Sequence, residues 1–208
     1  MRWSDIGYLL SVSATKENSS LVKVFSREHG CVTGVVYGSS SKKKKPDLQI
    51  GNKIKLNFNS KNEDALGYFS IELIENISIK FFNDLKKLNL LIISIEVISK
   101  IMPEQQKYTE CFDEYDQLIK SLEGDSLKSY LIWEFNFLKN IGYGVDLNEE
   151  GFNPVIKSIL NGSSLDFTIE DLKAIFNLNS ETISNRLVDV INITNFKNRP
   201  KILNYLNE

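Results

Sequence analysis

The chain's 208 residues suffice for one large domain or two small ones, and its 42% apolar and 25% charged residues are ordinary for a soluble globular protein. A net charge of −2 hides an asymmetry: twelve Lys+Arg against eight Asp+Glu give residues 1–80 a charge of +4, leaving 13 basic and 19 acidic residues, or −6, for the rest. Two distant cysteines outside any CxxC pair and a single histidine argue against a disulfide framework and against a structural zinc site, which usually takes four such ligands.

Ile6–Val12 reads as a first strand, with Gly7 as the expected bulge or bend. Lys16–Ser20 is a polar turn. Val22–Phe25 and Val32–Tyr37 alternate with period two and are joined by Ser26–Gly30, where Gly30 offers a positive-φ turn position. Ser39–Ser41 and four consecutive lysines, Lys42–Lys45, form a loop closed by Pro46. After Gly51, Lys53–Phe58 is a fourth strand and Gly67–Leu73 a fifth. Five short strands in this span match an OB-type barrel, a common oligonucleotide binder; an SH3-like barrel fits the same periodicity.

From about Asn76 the period becomes helical: Phe81, Phe82, Leu85, Leu88, Ile92, Ile95 and Ile98 form one stripe, ended by Pro103. Tyr108, Phe112, Tyr115, Leu118, Ile119 and Leu122 form a second. Ser126 is the predicted N-cap of a third helix through Ile141, stopped by Gly142 and Gly144, with Trp133 and Phe135 read as core or an inter-domain contact. Thr168 and Asp171 predict a variant capping box on a short helix, Ile169–Phe176. Ser180 is predicted to start another, with Ile183, Leu187, Val190 and Ile191 inward. The expected architecture is α+β: a five-stranded barrel over 1–78 and an all-α domain over 79–208.

The chain carries no GxxxxGK[ST], GxGxxG, HExxH or GxSxG motif. His29 and Cys31 leave a dyad geometrically open, beside the plainer reading of a turn histidine and a buried thiol. Glu63-Asp64 and Glu149-Glu150 read as solvated loop acids. Met1–Asp5 lacks the apolar core of a signal peptide, and Leu90–Ile93 is too short to span a bilayer, so a cytoplasmic protein without a membrane partner is expected.

Binding is better supported. Lys42, Lys43, Lys44 and Lys45 sit in a loop without apolar demand, suited to phosphate contact or to solubility alone. Each contact with single-stranded nucleic acid would steepen the salt dependence by roughly 0.7 in log–log slope. Lys23, Arg27, Lys53 and Lys55 could extend the patch. Tyr8, Tyr37, Phe58, Tyr68 and Phe69 are either barrel core or base-stacking platforms.

Val24-Phe25-Ser26-Arg27-Glu28-His29-Gly30, continued by Gly34-Val35-Val36-Tyr37-Gly38, resembles the amino-terminal OB-fold barrel of the RecO recombination mediators, as does the basic loop before Leu48-Gln49-Ile50-Gly51. Trp133 to Leu147 resembles that family's helix and GYG-type turn, and Lys197–Lys201 is similar to its basic carboxy-terminal end. The resemblance implies a non-enzymatic, nucleoid-associated repair factor. Such proteins bind single- and double-stranded DNA, anneal complementary strands and, with RecR, assist RecA loading onto DNA coated by single-stranded-DNA-binding protein. The helical domain would take that protein's acidic, apolar C-terminal tail, with Lys128, Lys139 and Lys157 as candidate cations. Where many members carry a zinc-binding cysteine cluster, this chain reads Asn148–Pro154 without cysteine, so no metal or other cofactor is expected. The loop is all lysine, which meets phosphate as a point charge without bidentate recognition. The alternative is an OB-fold RNA-binding or translation-associated protein.

Overall fold

The computed structural model describes residues 1–15, 18–62, 65–148, 152–162, 167–187 and 196–207. They form two compact units, Met1–Asp113 and Glu114–Glu208. In the first, β1 (Arg2–Ala14), β2 (Ser19–Ser26), β3 (Gly30–Tyr37), β4 (Lys53–Asn59) and β5 (Gly67–Glu75) close into a barrel in the order β1-β2-β3-β5-β4, with β4 returning to β1. All pairings are antiparallel except β3 with β5, where Gly34 faces Gly67 and Val35 faces Tyr68. Alternate residues point inward, so Leu9, Val22, Val24, Val32, Val36, Ile54, Leu56, Phe58 and Phe69 form the core. This is the OB-type architecture that the strand count predicts.

Gly7 is not the bulge. The register shifts between Leu9 and Ser11. At Gly7 the neighbouring strands come too close for a side chain: a Cβ would lie 2.5 Å from Val24 Cγ1 and 2.9 Å from the Phe25 carbonyl oxygen. Gly30 does take the predicted positive φ, +66°.

The single helix expected from Asn76 is two. Asn76 caps α1 (Ile77–Lys80) and Asp84 caps α2 (Leu85–Ile101), each side chain accepting from a first-turn backbone N–H. The interruption leaves Phe82 and Leu85 largely exposed, 77% and 71%, while Phe81, Ile95 and Ile98 are buried. The first compact unit also runs past residue 78, because α2 packs its apolar face against β1 and β2. That unit ends inside α3 (Thr109–Ser121), whose Phe112 meets the rings of Tyr8 and Phe25.

In the second unit, α4 (Ser126–Leu138) is capped by Asp125 rather than Ser126, and gives way to a wider turn, Lys139–Tyr143, in which Gly142 has φ +95°. Trp133 is core, packed on Tyr115, Tyr130 and Phe137. After α5 (Pro154–Leu160), α6 runs unbroken from Ile169 to Arg186 behind the predicted Thr168–Asp171 capping box. No helix starts at Ser180. Its hydroxyl donates to the Phe176 carbonyl 2.7 Å away, and the Thr182 hydroxyl to Leu178, so both are satisfied within a continuing helix. Ile183 and Leu187 are buried as expected; Val190 and Ile191 lie outside the described residues, as do the acidic pairs Glu63-Asp64 and Glu149-Glu150. A short turn, Arg199–Lys201, leads into α7 (Ile202–Leu206).

Candidate nucleic-acid interface

The segment between β3 and β4 is wound on itself and fastened at both ends. Lys45 N donates to the Ser41 carbonyl, and Leu48 N to that of Lys44, helical spacings that fan the lysines around a turn. Gly38 N donates to the Asn18 carbonyl, Ser40 N to Asn18 Oδ1, and the buried hydroxyls of Ser20 and Ser39 lie 2.9 Å apart. At the other end the buried Asn52 donates through Nδ2 to the carbonyls of Pro46 and Asp47, at 2.9 and 3.1 Å. Lys44 folds back, its Nζ 2.7 Å from the Tyr37 carbonyl oxygen, while Lys42, Lys43 and Lys45 are exposed. Like charges along one turn repel in the free protein and are relieved by an anion.

Beside this loop the last residue of β3 and the second of β5 expose their rings. Tyr37 is 62% and Tyr68 45% exposed, with centroids 6.2 Å apart across the parallel seam. Phe58 and Phe69 are barrel core, and Tyr8 is buried outside the barrel against Phe112. Of the predicted aromatics, only Tyr37 and Tyr68 can meet a ligand's flat face.

The other predicted cations fare differently. Lys23 leaves the barrel toward the end of α2, donating to the Ser99 carbonyl at 3.0 Å and pairing with Glu104 at 3.1 Å. Arg27 makes a fork on Asp113, both contacts 2.9 Å, and pairs with Glu28 at 3.2 Å. These two already have carboxylate partners. On β4, Lys53 lies over the Tyr8 ring, 5.6 Å from its centroid, and Lys55 is exposed opposite Glu72.

His29 and Cys31 do not form a dyad. The imidazole stacks on Trp3, centroids 3.8 Å apart, and its Nδ1 faces Asp5 Oδ2 at 3.3 Å. Cys31 is fully buried, and that burial pushes its thiol up to about 12, a protonated and unreactive group. Asp5 is the polar hub of this corner. Burial raises its carboxyl, but donation from the Ser26 hydroxyl, the Glu28 and Ile6 amides and His29 outweighs burial and leaves it below the ordinary carboxylate range. Among the described residues no cluster of His, Cys, Asp and Glu could hold a metal ion. No helix among them is long and apolar enough to cross a membrane.

Two family models match the chain in this order: "Recombination protein O N terminal" over residues 1–77 and "Recombination protein O C terminal" over residues 83–153. The chain belongs to the RecO family. It is similar to the DNA repair protein RecO of Ruegeria sp., 31% identical over 150 residues, and to that of Dinoroseobacter shibae, 32% identical over 150 residues. Each match covers 71% of this chain and 62% of the relative, so the similarity spans less than two thirds of the curated relatives' length. RecO of Jannaschia sp. is 29% identical over 150 residues, covering 72% of this chain and 62% of its own.

The RecO C-terminal match takes in the GYG-type turn, and the structure builds a cleft there. About 530 Å³ in volume, it is lined by Lys139, Gly144, Val145, Leu147, Asn148 and Lys157, among others. Lys157 Nζ donates to Asn148 Oδ1 at 2.7 Å. Two of the three predicted partner-binding lysines thus share one site. Lys128 lies elsewhere, over the Phe167 ring at 4.2 Å. Arg199, in the basic terminal stretch, is buried rather than presented.

Sequence reading missed Asn18 and Asn52. Their only signal was turn chemistry, an Asn within a polar turn and a Gly-Asn pair before a strand.

Proposed function

We propose that this RecO-family chain is a DNA-repair mediator that works by holding nucleic acid on its barrel and catalyses no covalent step. It binds single- and double-stranded DNA, anneals complementary strands and, with RecR, assists RecA loading. The observation that carries this reading is the exposed trio Lys42, Lys43 and Lys45 beside the exposed Tyr37–Tyr68 pair on a closed OB-type barrel. Cations in a row neutralise phosphates without reading sequence, and two accessible rings offer stacking to any base. Lys53 and Lys55 extend the cationic surface along β4. Lys23 and Arg27 are left to structural duty by their carboxylate partners.

The cleft at the GYG-type turn supports a second contact. Lys139 and Lys157 line one cleft with Val145, Leu147 and the carboxylate of Asp146, a mix of cation and apolar surface suited to the acidic, apolar tail of the single-stranded-DNA-binding protein. Lys128 would have to act separately.

The deciding experiment is oligodeoxynucleotide binding across a salt series. Replacing Lys42, Lys43 and Lys45 by alanine lowers the log–log slope by about 2, three contacts at roughly 0.7 each. An unchanged slope and affinity, or a clear preference for RNA of the same sequence, overturns the reading.

A further inference from the structure

Asn52 breaks a rule of buried side chains. It is wholly buried, yet its Oδ1 has no hydrogen-bond partner. A buried, unsatisfied amide oxygen is costly, and a leucine would fill the same space without it. What the asparagine supplies in return is its Nδ2. That one group donates to two consecutive carbonyls, Pro46 and Asp47, immediately after the lysine run. The Asn52 backbone is itself locked to the barrel: its carbonyl accepts from Leu9 N at 3.0 Å, while Gly51 N donates to the Leu9 carbonyl at 2.8 Å. The amide therefore ties the far end of the lysine loop to β1. Asn18, at a positive φ of 51°, ties the near end through the carbonyl to Gly38 and through Oδ1 to Ser40.

We infer that Asn52 is a positioning residue for the lysine loop, holding Lys42, Lys43 and Lys45 in their anion-ready arrangement without touching the anion. An unanchored loop gains backbone entropy by opening; the double anchor holds the compact turn against that entropy. Asn52's part in affinity rests on the nucleic-acid reading of the loop, whereas its part in holding the loop does not. The two can be separated because a contact and a pin leave different signatures. Removing a phosphate contact changes the salt slope. Removing a pin lowers the fraction of protein in the competent shape, which weakens binding equally at every salt concentration.

The test uses the whole chain, a fluorescent oligothymidylate, and trypsin as a reporter of loop opening. Asn52→Leu should melt as cooperatively as the native protein. It should bind about tenfold more weakly at all salt concentrations and be cut at Lys42–Lys45 at least about tenfold faster, as expected if a mostly closed loop falls to about a tenth closed. Its salt slope should match the native one. Native cleavage and native affinity overturn the proposal, as does a loss that appears as a reduced slope. If Asn52→Leu does not melt cooperatively, Asn18→Gly keeps the positive φ, removes the Ser40 acceptor, and must show the same pair of effects; native behaviour there overturns the double anchor. Native protein that ignores the oligonucleotide overturns the function and Asn52's role in affinity with it, while faster cleavage of Asn52→Leu still marks the pin.

Discussion

Arg199 sets its guanidinium fork on both oxygens of Glu134, with Nε at 2.7 Å and Nη2 at 2.9 Å, in a site where Glu134 is wholly buried. The same carboxylate accepts from Tyr130 Oη at 2.7 Å and from Asn179 Nδ2 at 3.1 Å, so α4, α6 and the terminal turn share one anion. Burial works against the charged Arg199, but the Glu134 charge and hydrogen bonds prevail and hold the guanidinium above its ordinary value.

Removing one partner strands the other. Arg199→Leu should destabilise the second unit by about 3–5 kcal/mol, because Glu134 is left as an uncompensated buried charge. The double replacement of Glu134 and Arg199 by apolar residues should recover much of that loss. Urea unfolding of the two single variants and the double variant measures the coupling; additive losses would show that the pair does not act as a unit.

Asp5 predicts an acid limit for the barrel. Its carboxyl is lowered in the folded state, so folded protein binds that proton more weakly than unfolded chain. The stabilisation is complete above the ordinary value of 3.8 and is lost as the pH falls through the lowered folded value. Asp5→Ala should cost about 1–3 kcal/mol at neutral pH by leaving buried donors unmet, and should flatten the stability profile below pH 4. Thermal melts between pH 2 and 7 check both.

Cys31 should be inert. With its thiol pushed up to about 12, only about one part in ten thousand is thiolate at pH 8. A thiol reagent should therefore modify Cys31 at the rate of unfolding. Rapid labelling of folded protein at this position would contradict its burial and reopen the dyad with His29.

The two exposed tyrosines should separate stacking from charge. Tyr37→Ala and Tyr68→Ala should each weaken single-stranded DNA binding by about 1–3 kcal/mol and leave the salt slope unchanged. Phe58→Ala, by contrast, should act on folding, costing about 3–5 kcal/mol in barrel stability. Binding isotherms and melts on the same three proteins distinguish the classes.

The barrel was legible because its information is local. Alternation along β1 to β5, Gly30 at a positive φ, and the Thr168–Asp171 capping box are all decided within a few residues of chain, and the structure reproduces them. The family, too, could be read from two short phrases around Arg27 and Tyr143. Tertiary packing decided the rest. Whether a lysine faces water or a carboxylate depends on residues far away in sequence, so Lys23 and Arg27 looked like Lys42 until Glu104 and Asp113 came beside them. Ser126 and Ser180 looked like helix starts from residue type alone, but Asp125 takes the cap of α4 and the Ser180 hydroxyl donates to the Phe176 carbonyl within a continuing helix. Asn52 carried only the signal of a turn residue, since one amide becomes an anchor only when the fold brings two carbonyls within reach of it.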